Sequence, residues 1–180
     1  AHAPDYRSRG IYAPRYTYFI IRELIPYIKQ LFPEFLFTEW AFAGFSLGGL
    51  SALDISWAHP HIFRHTAVFS GSLWWRSLDQ ADPLYRDEVH RLMHKLIHEG
   101  VYTAGLKFFF ECGTADETED RNQNGVIDSI DDTKDLIAEL MQKGYKENDD
   151  IYYLEIPGGT HDPATWAAAM PLFLKWAWGR

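Results

Sequence analysis

A serine flanked by glycines, in the run Gly44-Phe45-Ser46-Leu47-Gly48, has the residue types and spacing of a catalytic nucleophile. The apolar residues 38–45 before it predict a buried strand, and residues 47–58 after it predict a helix. A sharp turn between them would raise the hydroxyl above the sheet, and side chains at the two glycines would collide across it. The N–H of Leu47, at the helix start, can face a developing oxyanion. The motif predicts acyl-transfer chemistry at Ser46; a turn that only links strand to helix is the alternative.

A serine hydroxyl needs a base that accepts its proton, and the base needs a carboxylate that orients it. His161 suits the base because it follows a predicted strand and precedes the last predicted helix. Asp116 suits the acid because it lies just after the third predicted strand. The alternatives are that His161 caps the following helix and that Asp116 belongs to an acidic surface loop. Nearby carboxylates also compete for the role of the acid: Glu117, Glu119 and Asp120.

Three other histidines, His90, His94 and His98, repeat at helical spacing. This spacing predicts a solvated helix face. A metal site on that face is the alternative, but no carboxylate-rich spacing supports it.

Residues 120–131 follow the layout of an EF-hand calcium loop. Oxygen-bearing side chains occupy loop positions 1, 3, 5, 9 and 12, and glycine occupies position 6. The predicted ligands are Asp120, Asn122, Asn124, Val126 through its carbonyl, Asp128 and Asp131. Position 12 is aspartate, whereas EF-hands usually have glutamate there. Dockerin-like loops also have aspartate at this position. Because crowded carboxylates repel one another, we expect a structural Ca²⁺ that fixes the loop presenting Asp116; an Asn/Asp/Gly turn without metal is the alternative.

The elements that must position these residues alternate between strand and helix along the chain. Predicted strands cover residues 38–45, 66–70, 106–111 and 151–156, and predicted helices cover 16–31, 47–58, 87–99, 131–143 and 163–176. Pro26 is expected to kink or split the first helix. The alternation predicts one α/β domain over residues 1–180, with a mostly parallel sheet covered by helices on both faces.

Composition excludes several classes of partner. The net charge of −8 argues against nucleic acid, and no basic amphipathic or long apolar run predicts membrane association. Cys112 is the one cysteine, so no intramolecular disulfide can form. With no signal peptide recognised, a reducing, cytoplasmic location is the expectation.

Two adjacent tryptophans, Trp74 and Trp75, follow the second predicted strand. Ligands of open α/β sheets bind at the carboxyl edge of the strands. The pair is therefore a candidate apolar wall for an acyl or aromatic group, and ordinary packing is the alternative.

Three blocks of the sequence resemble an esterase family of the α/β-hydrolase superfamily. They are Gly44–Leu53, Phe69–Trp75, and Gly158–Asp162 with Trp166. The family includes enterochelin esterases, feruloyl esterases and S-formylglutathione hydrolases, and the blocks are most similar to the enterochelin-esterase-like branch. The resemblance implies a small-molecule ester as substrate and a triad of Ser46, Asp116 and His161. The calcium-like loop is not a general feature of the family.

The chain departs from the family pattern before Ser46, where members have several strands and the loop that supplies a second oxyanion donor. We therefore expect a fold without its N-terminal strands, whose exposed strand edge associates with a second copy or with the missing N-terminal portion. Two alternatives to hydrolysis stay open at this point. One is acyl transfer by the same triad, and the other is a non-catalytic, calcium-stabilised binding module.

Overall fold

The computed structural model describes residues 3–179, which form a four-stranded sheet and its covering helices. The strands are β1 (Trp40–Phe45), β2 (Phe63–Phe69), β3 (Lys107–Ala115) and β4 (Ile151–Thr160). The helices are α1 (Ala13–Tyr18), α2 (Ile25–Leu31), α3 (Leu47–Ala58), α4 (Asp87–His90), α5 (Leu92–Glu99), α6 (Asp128–Lys143) and α7 (Pro163–Trp178). None of the helices in this described range has both the length and the apolar character of a membrane span.

All four strands are parallel and lie in the order β1-β2-β3-β4. Phe45, Phe69, Glu111 and Leu154 share one register across the sheet. The carboxyl ends of the strands therefore meet at one edge, where the segments that follow them are close together. The predicted parallel sheet is confirmed.

Helices cover both faces of the sheet, as predicted. Side chains alternate between the faces along each strand, so Phe108 and Phe110 pack with α3, α5 and α6, while Phe109 packs with α7. All three phenylalanines are fully buried. Each such side chain stabilises the fold by about 1.5–3 kcal/mol through removal of apolar surface from water.

The predicted interruption by Pro26 takes the form of a π-helical turn. The turn covers Phe19–Leu24, between α1 and α2, and the Ile25 N–H donates to the carbonyl of Ile20, five residues earlier. Proline has no N–H, and its ring would clash with the carbonyl four residues before it. The wider turn keeps the chain helical from Ala13 to Leu31.

The single helix predicted over residues 87–99 is wrong, because the chain is extended at Arg91 (φ −73°, ψ 104°). The N–H of the next residue donates to the Trp75 carbonyl instead of continuing the helix. The Arg91 guanidinium is buried and lies 2.8 Å from carboxylate oxygens of Asp132 and Asp135.

The solvated face predicted for His90, His94 and His98 is wrong at its centre. His94 is 4% exposed, and its Nε2 lies 2.8 Å from the carbonyl oxygen of Asp132. Burial, with a smaller contribution from Arg91, lowers the pKa of His94 to about 3. His98 is exposed, and no metal-binding group of three His, Cys, Asp or Glu side chains occurs within residues 3–179.

We expect the buried His94 to make the fold sensitive to acid. The unfolded chain takes up a proton near pH 6.5 and the folded chain does not, so stability falls as pH decreases below about 6.5, by up to about 1.4 kcal/mol per unit. Urea unfolding at about pH 7.5 and about pH 5 should show His94→Gln losing about 2 kcal/mol less than wild type over this range. His98→Gln, in the same helix but exposed, is the control. An identical loss in His94→Gln and wild type would contradict this.

Candidate active site

Ser46 lies between β1 and α3 in a strained conformation, with φ 54° and ψ −123°. A residue with a side chain rarely adopts such angles unless surrounding contacts impose them. The Ser46 N–H donates to the Phe69 carbonyl at 2.9 Å, and the Ser46 carbonyl accepts from the N–H groups of Leu50 (3.2 Å) and Ser72 (3.1 Å). These bonds hold the predicted turn on both sides. Leu47 is the first residue of α3, so helix geometry leaves its N–H without an intrahelical acceptor.

The glycine requirement predicted around the serine is right at Gly44 and wrong at Gly48. A Cβ at Gly44 would collide with the Gly48 carbonyl oxygen, whereas a Cβ at Gly48 would meet nothing within 4 Å. The second close contact lies one residue later: a Cβ at Gly49 would come within 3.0 Å of the Gly44 carbonyl oxygen and 3.1 Å of Val68. Gly49 therefore lets α3 pack directly against β1 and β2.

The three predicted triad residues line one cavity of about 350 Å³ at the carboxyl edge of the sheet. Its walls include Ser46, Asp116 and His161, together with Leu47, Trp74 and Arg9. Each triad residue follows a different strand, namely β1, β3 and β4. The parallel topology therefore brings together side chains separated by more than a hundred residues.

Asp116 is held in a tight turn at the end of β3. Its Oδ2 accepts from the Gly113 N–H at 3.1 Å, while its Oδ1 is buried and has no hydrogen-bond partner of normal geometry among the described residues. Burial raises the pKa of Asp116, and the Ser70 hydroxyl, the Gly113 N–H and nearby His161 oppose the increase. The Oδ1 atom is thus an acceptor available to an imidazole N–H.

Two glycines bring this turn against β4. A Cβ at Gly113 would collide with the carbonyl oxygen of Gly159 and would come within 2.8 Å of the Asp116 Oδ1. Ala115 pairs with Thr160, the residue before His161. Backbone contact at these glycines therefore sets the position of Asp116 relative to His161.

His161 is exposed and packs edge-on against Trp166, with ring centroids 5.2 Å apart. The following helix is capped by Asp162, whose Oδ1 accepts from the N–H groups of Ala164 and Thr165 at 2.9 Å. The alternative that His161 is the cap is therefore wrong. His161 makes no hydrogen bond to Ser46 or Asp116 in the part of the chain described; hydrogen bonds of catalytic groups are often long before substrate binds.

Neighbouring hydroxyls complete the site, and the sequence reasoning did not single them out. The Ser72 Oγ lies 3.3 Å from the Ser46 Oγ. The Ser70 Oγ accepts from the Trp166 indole N–H at 2.8 Å. Trp166 also stacks on Phe45, with centroids 4.9 Å apart and planes 8° from parallel. The indole thus connects the end of β1 with the loop that carries His161.

The two tryptophans predicted as an apolar wall lie in different places. Trp74 lines the cavity, whereas Trp75 is 4% exposed, donates its indole N–H to the Ala3 carbonyl and lines a neighbouring groove with Leu47.

The Arg9 guanidinium lies 5.3 Å from both ring centres. The Asp5 carboxylate fixes Arg9 by accepting hydrogen bonds from the Arg9 backbone N–H at 2.8 Å and from the Arg9 Nε at 2.6 Å. The N-terminal segment, predicted only as a loop, therefore contributes a positive charge to the cavity.

The predicted calcium loop closes on itself. The Asp120 carboxylate accepts from the backbone N–H groups of Asn124 (3.1 Å) and Gly125 (2.9 Å), and Gly125 has φ +85°. The side-chain amides of Asn122 and Asn124 both donate to Asp131 Oδ2, at 3.0 and 2.9 Å. Side chains from loop positions 1, 3, 5 and 12 thus lie around one turn.

Position 9 of this loop has another partner. Asp128 Oδ1 lies 2.8 Å from the Arg121 N–H nitrogen and 3.4 Å from its Nη1. The same guanidinium lies 3.2 Å from Asp87 and 2.5 Å from Asp132. Arg121 therefore compensates part of the acidic charge that the sequence reasoning assigned to a cation.

A comparison with known protein families gives one match over nearly the whole chain. The family model described as Putative esterase matches residues 1–177 of the chain. The chain belongs to this esterase family. The family resemblance predicted from the sequence blocks is confirmed, and no curated protein matches this esterase-family sequence.

Solved structures of related folds include longer proteins. The esterase-family chain is similar to the enterobactin esterase of Shigella flexneri, with 25% identity and a TM-score of 0.61, over 86% of this chain and 36% of that one. A siderophore hydrolase, EstA of Aspergillus nidulans, has 20% identity and a TM-score of 0.63, over 91% and 58%. A ferulic acid esterase has 18% identity and a TM-score of 0.61, over 89% and 61%. These likenesses confirm the α/β-hydrolase-like fold, and the chain spans between 36% and 61% of the length of these three relatives.

Proposed function

We propose that the chain carries the catalytic site of a serine carboxylic-ester hydrolase. The observation that carries the proposal is the strained Ser46, which lines one cavity together with Asp116 and His161. Strain of this kind at a serine between strand and helix is typical of a nucleophile presented to a substrate. Membership of the esterase family supports the same chemistry.

The proposed reaction proceeds through an acyl-enzyme. The Ser46 Oγ attacks the ester carbonyl carbon while His161 accepts the hydroxyl proton, and the Leu47 N–H donates to the developing oxyanion. The tetrahedral intermediate expels the alcohol, which takes the proton from His161. Water then attacks the acyl-enzyme with His161 as base, and Ser46 regains its proton. Asp116 orients the imidazole and stabilises its charged form.

The proposed substrate is a small-molecule ester with an apolar or aromatic group. Trp74 offers an aromatic surface beside Ser46 in the cavity. Enterobactin esterase, one of the similar structures, was solved in the presence of enterobactin, and another similar structure is that of a ferulic acid esterase. These relatives support an aromatic acyl ester as the first class to test.

Labelling with a fluorophosphonate probe tests the proposed function. An activated serine reacts with the probe, so we expect one label on the peptide that contains Ser46. His161→Ala should abolish most of the labelling because it removes the base. Absence of labelling in the folded, full-length protein would contradict the proposal and would favour a non-catalytic binding module.

We also propose that the loop of residues 120–131 binds Ca²⁺ in a structural role. Support comes from the oxygen-bearing side chains of Asp120, Asn122, Asn124 and Asp131, which lie around one turn. The remaining predicted ligands are the Val126 carbonyl and Asp128, and the Asp128 carboxylate would have to leave Arg121 to reach the cation. The loop lies between Asp116 and α6. A bound cation would therefore fix the segment that presents the catalytic acid.

Calcium should raise the thermal stability of the protein. At free Ca²⁺ about 100-fold above its Kd, binding contributes about 2.7 kcal/mol, which corresponds to a Tm increase of about 5–10 °C for a chain of this size. Calorimetry with Ca²⁺, Mg²⁺ or a chelator measures this increase. Asp120→Ala should remove it, whereas Glu119→Gln, an exposed carboxylate just before the loop, should not. An unchanged Tm across the calcium titration would contradict the proposal.

The edge of β1 is a proposed association surface. Within residues 3–179, β1 pairs only with β2, and its Phe45 side chain is 40% exposed beside an apolar groove with Trp166, Met170 and Leu174. Unpaired strand edges with apolar side chains favour pairing with another segment. We propose that a second copy, or a portion of the family domain that this chain does not span, covers this edge.

A further inference from the structure

The Arg9 side chain lies on the wall of the cavity that contains Ser46, and 46% of its surface is exposed. Among the described residues that line this cavity, Arg9 is the only arginine or lysine. It also lines the neighbouring groove formed with Leu47 and Trp75. The guanidinium is therefore a charged donor at the junction of the cavity and the groove, and the proposed reaction does not use it.

A buried carboxylate holds one edge of the Arg9 guanidinium. The Asp5 side chain is fully buried, and its Oδ2 lies 2.6 Å from Arg9 Nε and 2.5 Å from Arg9 Nη2. Its Oδ1 accepts from the backbone N–H groups of Arg7 at 3.0 Å and of Arg9 at 2.8 Å. Burial acts to raise the pKa of Asp5, but the hydrogen bonds from Arg9 and Arg7 outweigh it and the pKa is lowered. Asp5 is therefore ionised and fully occupied within this loop.

The loop that carries Arg9 is fitted against the adjacent tryptophans. The Trp75 indole N–H donates to the Ala3 carbonyl at 3.1 Å. Gly10 has φ +85°, and a Cβ there would come within 3.0 Å of the Trp75 ring. The guanidinium carbon lies 5.3 Å from the ring centres of Trp74 and Trp75. The guanidinium is thus fixed before a ligand binds, so binding costs little side-chain entropy.

The outer N–H groups of the guanidinium are available to a ligand. Within residues 3–179, Asp5 is the only group that hydrogen-bonds to the guanidinium nitrogens, so Nη1 and the second N–H of Nη2 form a free fork. Such a fork matches the two oxygens of a carboxylate. Asp116 and Glu117 also line the cavity, but neither forms an ion pair with Arg9. Because these two carboxylates would repel an anion elsewhere in the cavity, the charges favour Arg9 as its position.

We propose that Arg9 binds a carboxylate of the substrate, so that the enzyme prefers acidic esters to neutral esters of the same shape. The inference rests on the proposed esterase function and narrows its substrate class. A neutral ester leaves the Arg9 fork without an anionic partner, and charge-assisted hydrogen bonds are stronger than neutral ones. Because Arg9 contacts a part of the substrate other than the reacting carbonyl, its contribution should affect mainly KM.

Matched pairs of esters test this preference in the full-length protein. The first pair is p-nitrophenyl p-carboxybenzoate and its methyl ester, with the charge on the acyl part; the second is p-acetoxybenzoate and its methyl ester, with the charge on the alcohol part. In at least one pair, the ratio of kcat/KM for the acidic ester to that for the neutral ester should fall by about tenfold or more in Arg9→Gln. Arg15→Gln, which removes the same charge from an exposed arginine beside Tyr12, should keep the ratio within about threefold. Ratios in both pairs that are equal in Arg9→Gln and wild type would overturn the inference.

A binding measurement keeps the inference testable if Arg9→Gln does not fold around the buried Asp5. The double variant Asp5→Asn/Arg9→Gln removes both charges together, which avoids an uncompensated buried carboxylate. Titration calorimetry uses p-carboxybenzanilide and p-carbamoylbenzanilide, which have an amide in place of the ester. Wild type should bind the acid at least about tenfold more tightly than the neutral amide, and the double variant should bind both equally. Equal affinities in wild type would overturn the inference. Ester turnover that Ser46→Ala leaves unchanged would instead overturn the proposed function, and the calorimetric result does not depend on turnover.

Discussion

Replacing Ser46 with alanine is expected to lower kcat/KM for p-nitrophenyl acetate by at least about 10⁴-fold, because covalent catalysis is lost and water must attack directly. The folded state should be unaffected, since the substitution removes one hydroxyl whose neighbour is the Ser72 Oγ at 3.3 Å. Residual activity of the variant would come from binding and the Leu47 N–H alone.

Two serines serve as matched controls for this experiment. Ser51 lies on α3 and donates its hydroxyl to the Leu47 carbonyl at 2.9 Å, so Ser51→Ala should leave kcat/KM within about threefold, as surface changes outside a site usually do. Ser72→Ala tests whether the neighbouring hydroxyl is the true nucleophile. Hydrolysis that survives in Ser46→Ala and disappears in Ser72→Ala would contradict the account.

Replacing Asp132 with alanine is expected to give the largest loss of stability. Asp132 is 1% exposed, and its Oδ1 lies 2.8 Å from Arg91 and 2.5 Å from Arg121. Removing one member of a buried ion pair typically costs about 3–5 kcal/mol because the remaining charges lose their compensation. For a chain of this size, the Tm should fall by about 6–20 °C.

Asp135 offers a matched control for Asp132 on the same helix. Its carboxylate lies 2.8 Å from Arg91, but its side chain is 53% exposed. Exposed ion pairs contribute about 0–1 kcal/mol, so Asp135→Ala should change the Tm by only a few degrees. Equal Tm values for the two variants would show that the Arg91–Arg121 network does not carry the stability assigned to it. Because Arg121 belongs to residues 120–131, the network also fixes the loop after Asp116.

The main elements of the fold follow from local patterns in the sequence. The apolar run before Ser46 and the breaker-free segment after it specify β1 and α3, and alternation of strand and helix specifies a parallel sheet. Residues at the ends of such strands must meet at one edge, so Ser46, Asp116 and His161 can be grouped without coordinates. The ends of two strands are harder to predict. β3 continues to Ala115 and β4 to Thr160, past the predicted ends, because the pairing resumes after an irregularity between Gly113 and Ala115.

The parts of the site that could not be predicted depend on contacts between distant segments. Arg9 reaches the cavity because Asp5 and Trp75 hold the N-terminal segment in place. His94 is buried because α6, a distant segment of the chain, packs against the face of α5 that also carries Met93 and Ile97. Glu111 follows a run of three phenylalanines, and the pattern of this run predicts a buried strand but not a buried acid.

The central claim is that Ser46 forms the acyl-enzyme, and trapping that intermediate tests it most directly. The full-length protein is mixed with p-nitrophenyl acetate, quenched with acid during turnover, digested and measured by mass spectrometry. The account predicts one acetyl group on the peptide containing Ser46 in the wild-type protein and no acetyl group on the corresponding peptide in Ser46→Ala. Turnover of the ester with no acetyl group on Ser46, or with the acetyl group on another residue, would contradict it.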